Sequence, residues 1–278
     1  MRPELLRLHA DREVRHWWFV ARRRIVSALV DELLPAGHDR LVIDIGCGTG
    51  ANVAALSRSR TCIGIDVSSE GIALARERYP ECEFRVGYAP ADLGELTGRA
   101  DLFLLMDVLE HVKDDVALFT SIMAAAKPGA LALVTVPADP GLWSPHDVTH
   151  MHYRRYTVER LRELWRDEAL EPVLLTGLNR RLLPVVRAVR ALQRRRGRAV
   201  GPGGTDLAMP PAPLNRVLAR IFAGEGRQVL ARLRRRPIDP HPSGVSLLAI
   251  VRRTDALLYP RERDAALAAQ DLHDPERA

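Results

Sequence analysis

Lysine is almost missing from this chain. It occurs only at positions 113 and 127, although lysine and arginine together number 41 of 278 residues. Nearly every base is therefore an arginine, a bias that a GC-rich genome would produce by itself. Long apolar runs are missing as well: stretches such as Leu131 to Val136 fall far short of the roughly 18–20 residues needed to cross a bilayer. The opening MRPELLRLHADREVRH mixes acids with bases and has no apolar h-region, so no secretory signal is expected. Cysteine is scarce. Cys47, Cys62 and Cys82 show neither paired spacing nor a metal-ligand pattern, which argues against a disulfide scaffold and fits buried thiols in a reducing, cytoplasmic compartment. Aromatic residues are few, and none interrupts the basic runs Arg187 to Arg198 and Arg232 to Arg236, so no nucleic-acid partner is expected. Those runs read either as solvated helix faces or as contacts to an anionic partner, meaning a membrane surface or a phosphorylated substrate.

What is present is 47% apolar residues, enough for one sizeable core and too few for three domains. Short apolar runs predict strands at 41–45, 61–67, 83–87, 101–106, 131–136, 172–176 and 244–251. Helical patterns fall at 12–34, 51–59, 70–79, 113–126 and 158–169, the last with Thr157 as its cap. This alternation predicts an α/β fold, a mostly parallel sheet with helices on both faces. In such sheets ligands sit beyond the carboxyl ends of the strands, so chemistry is expected at the tips of the first five. Residues 180–243 break the alternation and are rich in Arg, Pro and Gly, with an amphipathic stretch at 214–232. They are read as a helical insertion or lid before the last strand. It could line a greasy pocket, rest on a membrane as a peripheral contact, or close a dimer. The core is thus 1–179 with 244–253, and 254–278 is a polar, loosely held tail.

Asp44-Ile45-Gly46-Cys47-Gly48-Thr49-Gly50 follows the first strand and opens a helix. Glycines there allow a tight turn and close backbone approach to a ligand. Asp66, at the end of the second strand, can accept hydrogen bonds from the hydroxyls of a ribose. A nicotinamide or flavin cofactor would use the same devices. Three details favour S-adenosylmethionine: the spacing is GxGxG, Asp44 lies where it could meet the ammonium of a methionine moiety, and no second dinucleotide half follows.

DIGCGTG, GIDVS and DLFLLMDVLEHV together resemble the class I S-adenosylmethionine-dependent methyltransferases, in particular the type 11/12 and ubiquinone-biosynthesis-like groups, over residues 12–180 and 244–253. The resemblance implies a Rossmann-like seven-stranded sheet of order 3-2-1-4-5-7-6 with the last strand antiparallel. It implies S-adenosyl-L-methionine as cofactor, with Gly46, Gly48 and Gly50 around its methionine part and Asp44 and Asp107 bordering it. Asp66 and Val67 would meet the ribose, and Tyr88 and Ala89 the adenine. Position 88 departs from the family, which has Asp there; either Asp92 or the backbone would serve the adenine edge instead. His16-Trp17-Trp18-Phe19 with Arg22-Arg23-Arg24 is similar to a subset in which an N-terminal helix caps the cofactor. Arg22 or Arg23 would pair with the cofactor carboxylate, Arg23 being taken as the candidate. The three aromatics would also serve simply to pin that helix to the core.

Methyl transfer is an in-line displacement in which the protein mainly aligns the acceptor. An oxygen nucleophile also needs a base with a pKa near working pH, and histidine suits that role. Two segments offer one. His111, in Asp107-Val108-Leu109-Glu110-His111, is the first candidate. This stretch resembles the E-x-x-E-H of ubiquinone O-methyltransferases, linked there to a divalent cation; a structural polar network is the plainer reading, and no metal is expected. The second segment runs from Trp143 to Tyr156. There His146 is the expected base, Trp143 and Tyr153 wall a pocket, His150 lines it, and Arg154 or Arg155 meets an anionic part of the acceptor. A lid whose His and Arg residues bond the loop to itself is the alternative. The leading expectation is a methyltransferase acting on a small organic acceptor, at oxygen before nitrogen or carbon. A non-catalytic cofactor-binding partner subunit and an NAD-dependent oxidoreductase remain the competing readings.

Overall fold

A computed structural model describes residues 3–196, 205–235 and 242–258. Residues 197 and 198 of the first basic run, Arg236 of the second, and 259–278 of the expected tail lie outside the described residues. Seven strands form one sheet: β1 (Gly37–Ile45), β2 (Arg60–Asp66), β3 (Glu83–Val86), β4 (Leu102–Met106), β5 (Leu131–Pro137), β6 (Leu170–Leu178) and β7 (Ser246–Arg253). Their order is β3-β2-β1-β4-β5-β7-β6, and β7 runs antiparallel to both neighbours, as the resemblance implied. The central strands β4 and β5 are buried on both faces, which explains why they read as continuous apolar runs without alternation. One apolar cluster fills each face, around Phe103 and Phe119 on one side and Leu29 and Leu104 on the other.

β1 lies between β2 and β4, with Asp44 opposite Gly64 on one side and Leu104 on the other. The tips of β1, β2 and β4 therefore lie side by side. Between and after these strands the chain forms α3 (Ala51–Leu56), α4 (Ser69–Arg78), α5 (Glu95–Arg99), α6 (Asp115–Ala125), α7 (Pro145–Thr149) and α8 (Val158–Arg162). The helix expected over 158–169 ends at Arg162 and tightens into a 3₁₀ turn at Glu163–Trp165.

The single helix expected at 12–34 is two helices, α1 (Pro3–Arg15) and α2 (Trp17–Leu33). His16 breaks them with extended backbone, and its Nδ1 accepts the Trp18 N–H. The free groups at the break are met from far away. Asn215 accepts the Trp17 N–H at 2.9 Å and donates to the Arg15 carbonyl at 2.9 Å. Asn215 belongs to α10 (Ala212–Ala223), which packs on α2 and is followed by α11 (Gly226–Arg235); α9 (Leu183–Arg196) precedes both. Buried Glu225 accepts the N–H groups of Arg180 and Arg181, fixing the exit from β6. The start of the expected loose tail is attached: Thr254 donates to the Ala169 carbonyl, and Leu258 is buried.

Candidate active site

The turn after β1 and the end of β2 are joined by one carboxylate. Asp66 accepts the Gly48 N–H on one oxygen and the Ser68 N–H on the other, both at 2.8 Å. Burial raises its pKa, and those two N–H groups oppose the rise. Gly48 adopts a left-handed backbone (φ +54°), and a Cβ there would meet nothing within 4 Å. The turn thus leaves an open cradle beside Asp66. Gly50 also has positive φ, and a Cβ there would strike the Phe84 ring at 2.6 Å.

Asp44 lies under this turn and is 2% exposed. Neither of its oxygens has a hydrogen-bond partner of good geometry, although the Asn52 side chain lies near enough to favour the charged form slightly. Burial pushes its pKa up to about 7, against the pull of Arg22. A buried carboxyl with no partner, next to an open backbone cradle and a ribose-type carboxylate, fits an adenosyl compound bearing an ammonium head. Val67 is 43% exposed at the strand end. Beyond β3, Asp92 accepts the Tyr88 N–H at 2.7 Å, so this carboxylate closes its own loop next to Tyr88 and Ala89.

The N-terminal helices cover the same region. Arg22 stacks over the Trp18 ring at 4.2 Å and is ion-paired with Asp107. Asp107 sits just past β4 with φ +60°, and its second oxygen accepts the Thr135 hydroxyl at 3.1 Å. Arg23, the arginine expected at the cofactor, donates instead to the Glu13 carbonyl at 2.8 Å. Glu13 in turn is ion-paired with Arg78, which also donates to the Thr49 carbonyl, so α1, α4 and the glycine turn are tied together. Trp17 faces Phe222 of α10.

The segment 143–156 is built around Asp147, which is fully buried. A capping box with Ser144 starts α7, and the Asp147 carboxylate also holds His152 Nδ1 at 3.1 Å and Arg155 at 2.8 Å. Burial disfavours its charge, but the His152 hydrogen bond and the charges of Arg155 and Arg190 more than offset that, and its pKa falls well below the usual carboxylate range. The two loop arginines expected to face an acceptor are structural in this geometry. Arg154 donates to the carbonyls of Val112 and Lys113, both at 2.6 Å, and Arg155 to those of Ala138 and Asp139. Each guanidinium pins the loop to the sheet.

The histidines can be assigned by their partners. His146 Nδ1 accepts the Asp206 N–H at 3.0 Å, so its proton resides on Nε2 and it offers no free lone pair for base catalysis. Burial, with His150 and Arg190 nearby, holds its pKa well down. His150 Nδ1 donates to the His146 carbonyl at 2.9 Å, so its Nε2 accepts from His9 Nε2 at 3.1 Å and joins the loop to α1. His152 donates from Nδ1 to Asp147, which leaves Nε2 with its lone pair. His111 lies with its ring 4.7 Å from that of His152, and burial followed by the charges of His152 and His150 lowers its pKa to about 3. Glu110 is 1% exposed with both oxygens unpaired, and burial and then Asp107 push its pKa well above the usual carboxylate range. Glu110, His111 and His152 each offer a ligand atom within 4.8 Å of the others. Trp143 and Tyr153 are half-buried at the two ends of the segment, and the Tyr153 N–H binds the Glu110 carbonyl. The sequence reading left out His9 and gave His152 no role. The Asp147–His152 spacing of five residues was the available signal, but the turn that brings them together is not visible in the residues.

Comparison with known proteins agrees with this architecture. A methyltransferase domain family matches residues 8–174, and the chain belongs to it. Its cofactor is S-adenosylmethionine. A Mycolicibacterium smegmatis protein named "Probable S-adenosylmethionine-dependent methyltransferase" is 26% identical over 61% of this chain and 67% of its own length. A ubiquinone biosynthesis O-methyltransferase of Cereibacter sphaeroides is 29% identical over 49% of this chain and 62% of its own. For two further curated relatives the chain spans less than half of their length. Among solved structures, the 4+2 cyclase SpnF superposes with a TM-score of 0.51 and 18% identity, covering 84% of this chain and 81% of that one. The likeness shows the fold, and that neighbour's name shows that the fold alone does not fix the chemistry.

Proposed function

We propose that this protein transfers the methyl group of S-adenosylmethionine to an oxygen of a small organic acceptor, with His152 as the base that takes the acceptor's proton. The Asp147–His152 pair carries the reading. Its 3.1 Å hydrogen bond fixes the Nδ1–H tautomer, and an imidazole held this way presents a basic Nε2. His152 takes the role expected of His146, whose lone pair is already engaged. His146 and His150 then hold the lid, and His111 packs beside the base.

The bound cofactor supplies a methyl group on a positively charged sulfur. The chain's own residues grip and orient it. Asp44 takes the ammonium, the ribose hydroxyls add to Asp66, and Gly46, Gly48 and Gly50 let the backbone approach. Arg22 takes the place first given to Arg23, since Arg23 is held by Glu13 while Arg22 already meets Asp107. Tyr88 and Ala89 border the adenine, largely through backbone, because Asp92 is turned onto Tyr88. Trp143 and Tyr153 wall the acceptor.

The test is incubation with methyl-labelled cofactor and fractionated cell extract, followed by mass spectrometry. His152→Asn should lower turnover by about 10²–10⁴-fold, the usual reach of a general base, with affinity for S-adenosylhomocysteine unchanged. Full turnover in that variant would remove the assignment. Binding of NAD and not S-adenosylhomocysteine in calorimetry would remove the whole reading. A second reading is favoured by the Glu110, His111 and His152 cluster, which could hold a divalent cation to orient the acceptor. Chelator treatment separates the two: the leading reading expects turnover to survive EDTA, and the second expects it to vanish and return with added cation.

A further inference from the structure

Helix α9 is amphipathic in the opposite sense to an ordinary surface helix. Val185, Ala188, Val189 and Leu192 fall at i, i+3, i+4 and i+7, which places them on one stripe. That stripe faces outward: Val185 is 57% exposed, Val189 42% and Leu192 45%. Two of the helix's polar residues, Arg190 and Gln193, are covered. Arg190 is 7% exposed and ion-paired with Asp206 at 2.6 Å, and Gln193 is 2% exposed and donates to the same carboxylate at 2.6 Å.

Arginine predominates around the stripe, although Asp139 pairs with Arg187 at 3.1 Å. From Pro172 to Thr205 there are eight arginines, no Asp or Glu, and no Phe, Trp or Tyr. Arg187 and Arg195 are exposed on the helix itself. We propose that α9 seats on an anionic phospholipid bilayer, with the valine and leucine stripe at the acyl boundary and the arginines among the lipid phosphates. A helix of 14 residues is about 21 Å long, too short to span and suited to lying flat. A second copy of the chain would set one predominantly basic helix, with Arg195 exposed, against another, so like charges disfavour it. Nucleic acid would gain nothing from the apolar stripe and would find no stacking aromatic.

The buried side of α9 leads to the acceptor loop. Arg190 and Gln193 hold Asp206, and the Asp206 N–H binds His146. A seated α9 places the 143–156 segment next to the bilayer. On the methyl-transfer reading given above, this suits an acceptor that carries an apolar tail.

The experiment is flotation of the full chain with phosphatidylglycerol–phosphatidylcholine vesicles, compared with phosphatidylcholine alone, at low and high salt and without cofactor. The expected result is flotation with the anionic vesicles that weakens with salt. The triple variant Val185→Ser, Val189→Ser, Leu192→Ser should reduce it about tenfold or more, since interfacial binding scales with buried apolar area. Arg195→Glu should weaken it on anionic vesicles. Affinity for S-adenosylhomocysteine should be unchanged in both variants, which shows that they fold; its absence in the wild type would remove the methyl-transfer reading and leave the flotation result standing. No flotation with anionic vesicles, or flotation indifferent to the triple variant, overturns the proposal. So does a wild-type dimer in sedimentation, without vesicles, that the triple variant abolishes.

Discussion

Asp44→Asn replaces a buried carboxyl with a neutral group of the same shape. In the native protein the carboxyl has a pKa of about 7, against an ordinary 3.8, because burial disfavours its charge. Keeping Asp44 ionised in the folded state therefore costs about 4 kcal/mol relative to the unfolded chain, at 1.36 kcal/mol per pH unit. The sign follows from proton counting. Between pH 4 and 7 the folded state holds a proton that the unfolded state has lost. The stability linked to Asp44 is thus complete below pH 4 and is lost as pH rises through 7. The Asn variant does not suffer this loss. Its melting temperature should equal or trail that of the wild type below pH 4 and exceed it by about 8 °C at pH 8, taking about 2 °C per kcal/mol for a chain of this size. Cofactor binding should behave in the opposite way. An ammonium needs the charged carboxylate, so wild-type affinity for S-adenosylhomocysteine should rise from pH 6 to pH 8, while the variant binds weakly at both. Thermal melts and calorimetry across that range provide the assay. Parallel stability curves for the two proteins from pH 5 to 8 would refute the reasoning, because they would mean that Asp44 is charged in the fold throughout.

Three further outcomes are expected. Gly48→Ala should cost about 1–2 kcal/mol in thermal stability for its left-handed backbone, and should weaken S-adenosylhomocysteine binding in calorimetry because the methyl group enters the cradle. Arg22→Ala strips Asp107 of a charged partner and Trp18 of its stacked guanidinium. Affinity for the same ligand should fall by about tenfold or more, the scale of one charge-assisted hydrogen bond, whereas Arg23→Ala should change it little. His146→Ala should keep turnover within a few-fold of wild type while His152→Asn does not, measured as label transferred per minute, and the opposite ranking would restore His146 as the base.

The centre of the sheet was legible because β4 and β5 are apolar on both faces, whereas the polar, exposed start of β1 was not read as strand. The glycine turn and Asp66 were legible because their chemistry is local: seven consecutive residues and one strand end. What escaped was set by contacts distant in sequence. The break at His16 is stabilised by Asn215, and no residue near position 16 announces it. The choice between Arg22 and Arg23 is one of helix phase, since neighbouring arginines point about 100° apart and only packing decides which one reaches Asp107. The histidine roles depended on tautomers fixed by Asp206, Asp147 and His9, a network that spacing within the loop could not reveal. Arg154 and Arg155 read as free cations because the carbonyls they bind come from β-strand ends and turns elsewhere in the fold.

The Asn215 bridge also has a bearing on how the protein is made. The glycine turn, β1 and β2 emerge early in synthesis, but the clasp that seats α1 and α2 over them waits for a side chain about 200 positions later. During translation the break between α1 and α2 therefore keeps the Trp17 N–H and the Arg15 carbonyl without this partner until α10 has left the ribosome. A chain truncated before residue 215 would carry every glycine and carboxylate of the candidate cofactor site without the latch at the break between its two covering helices.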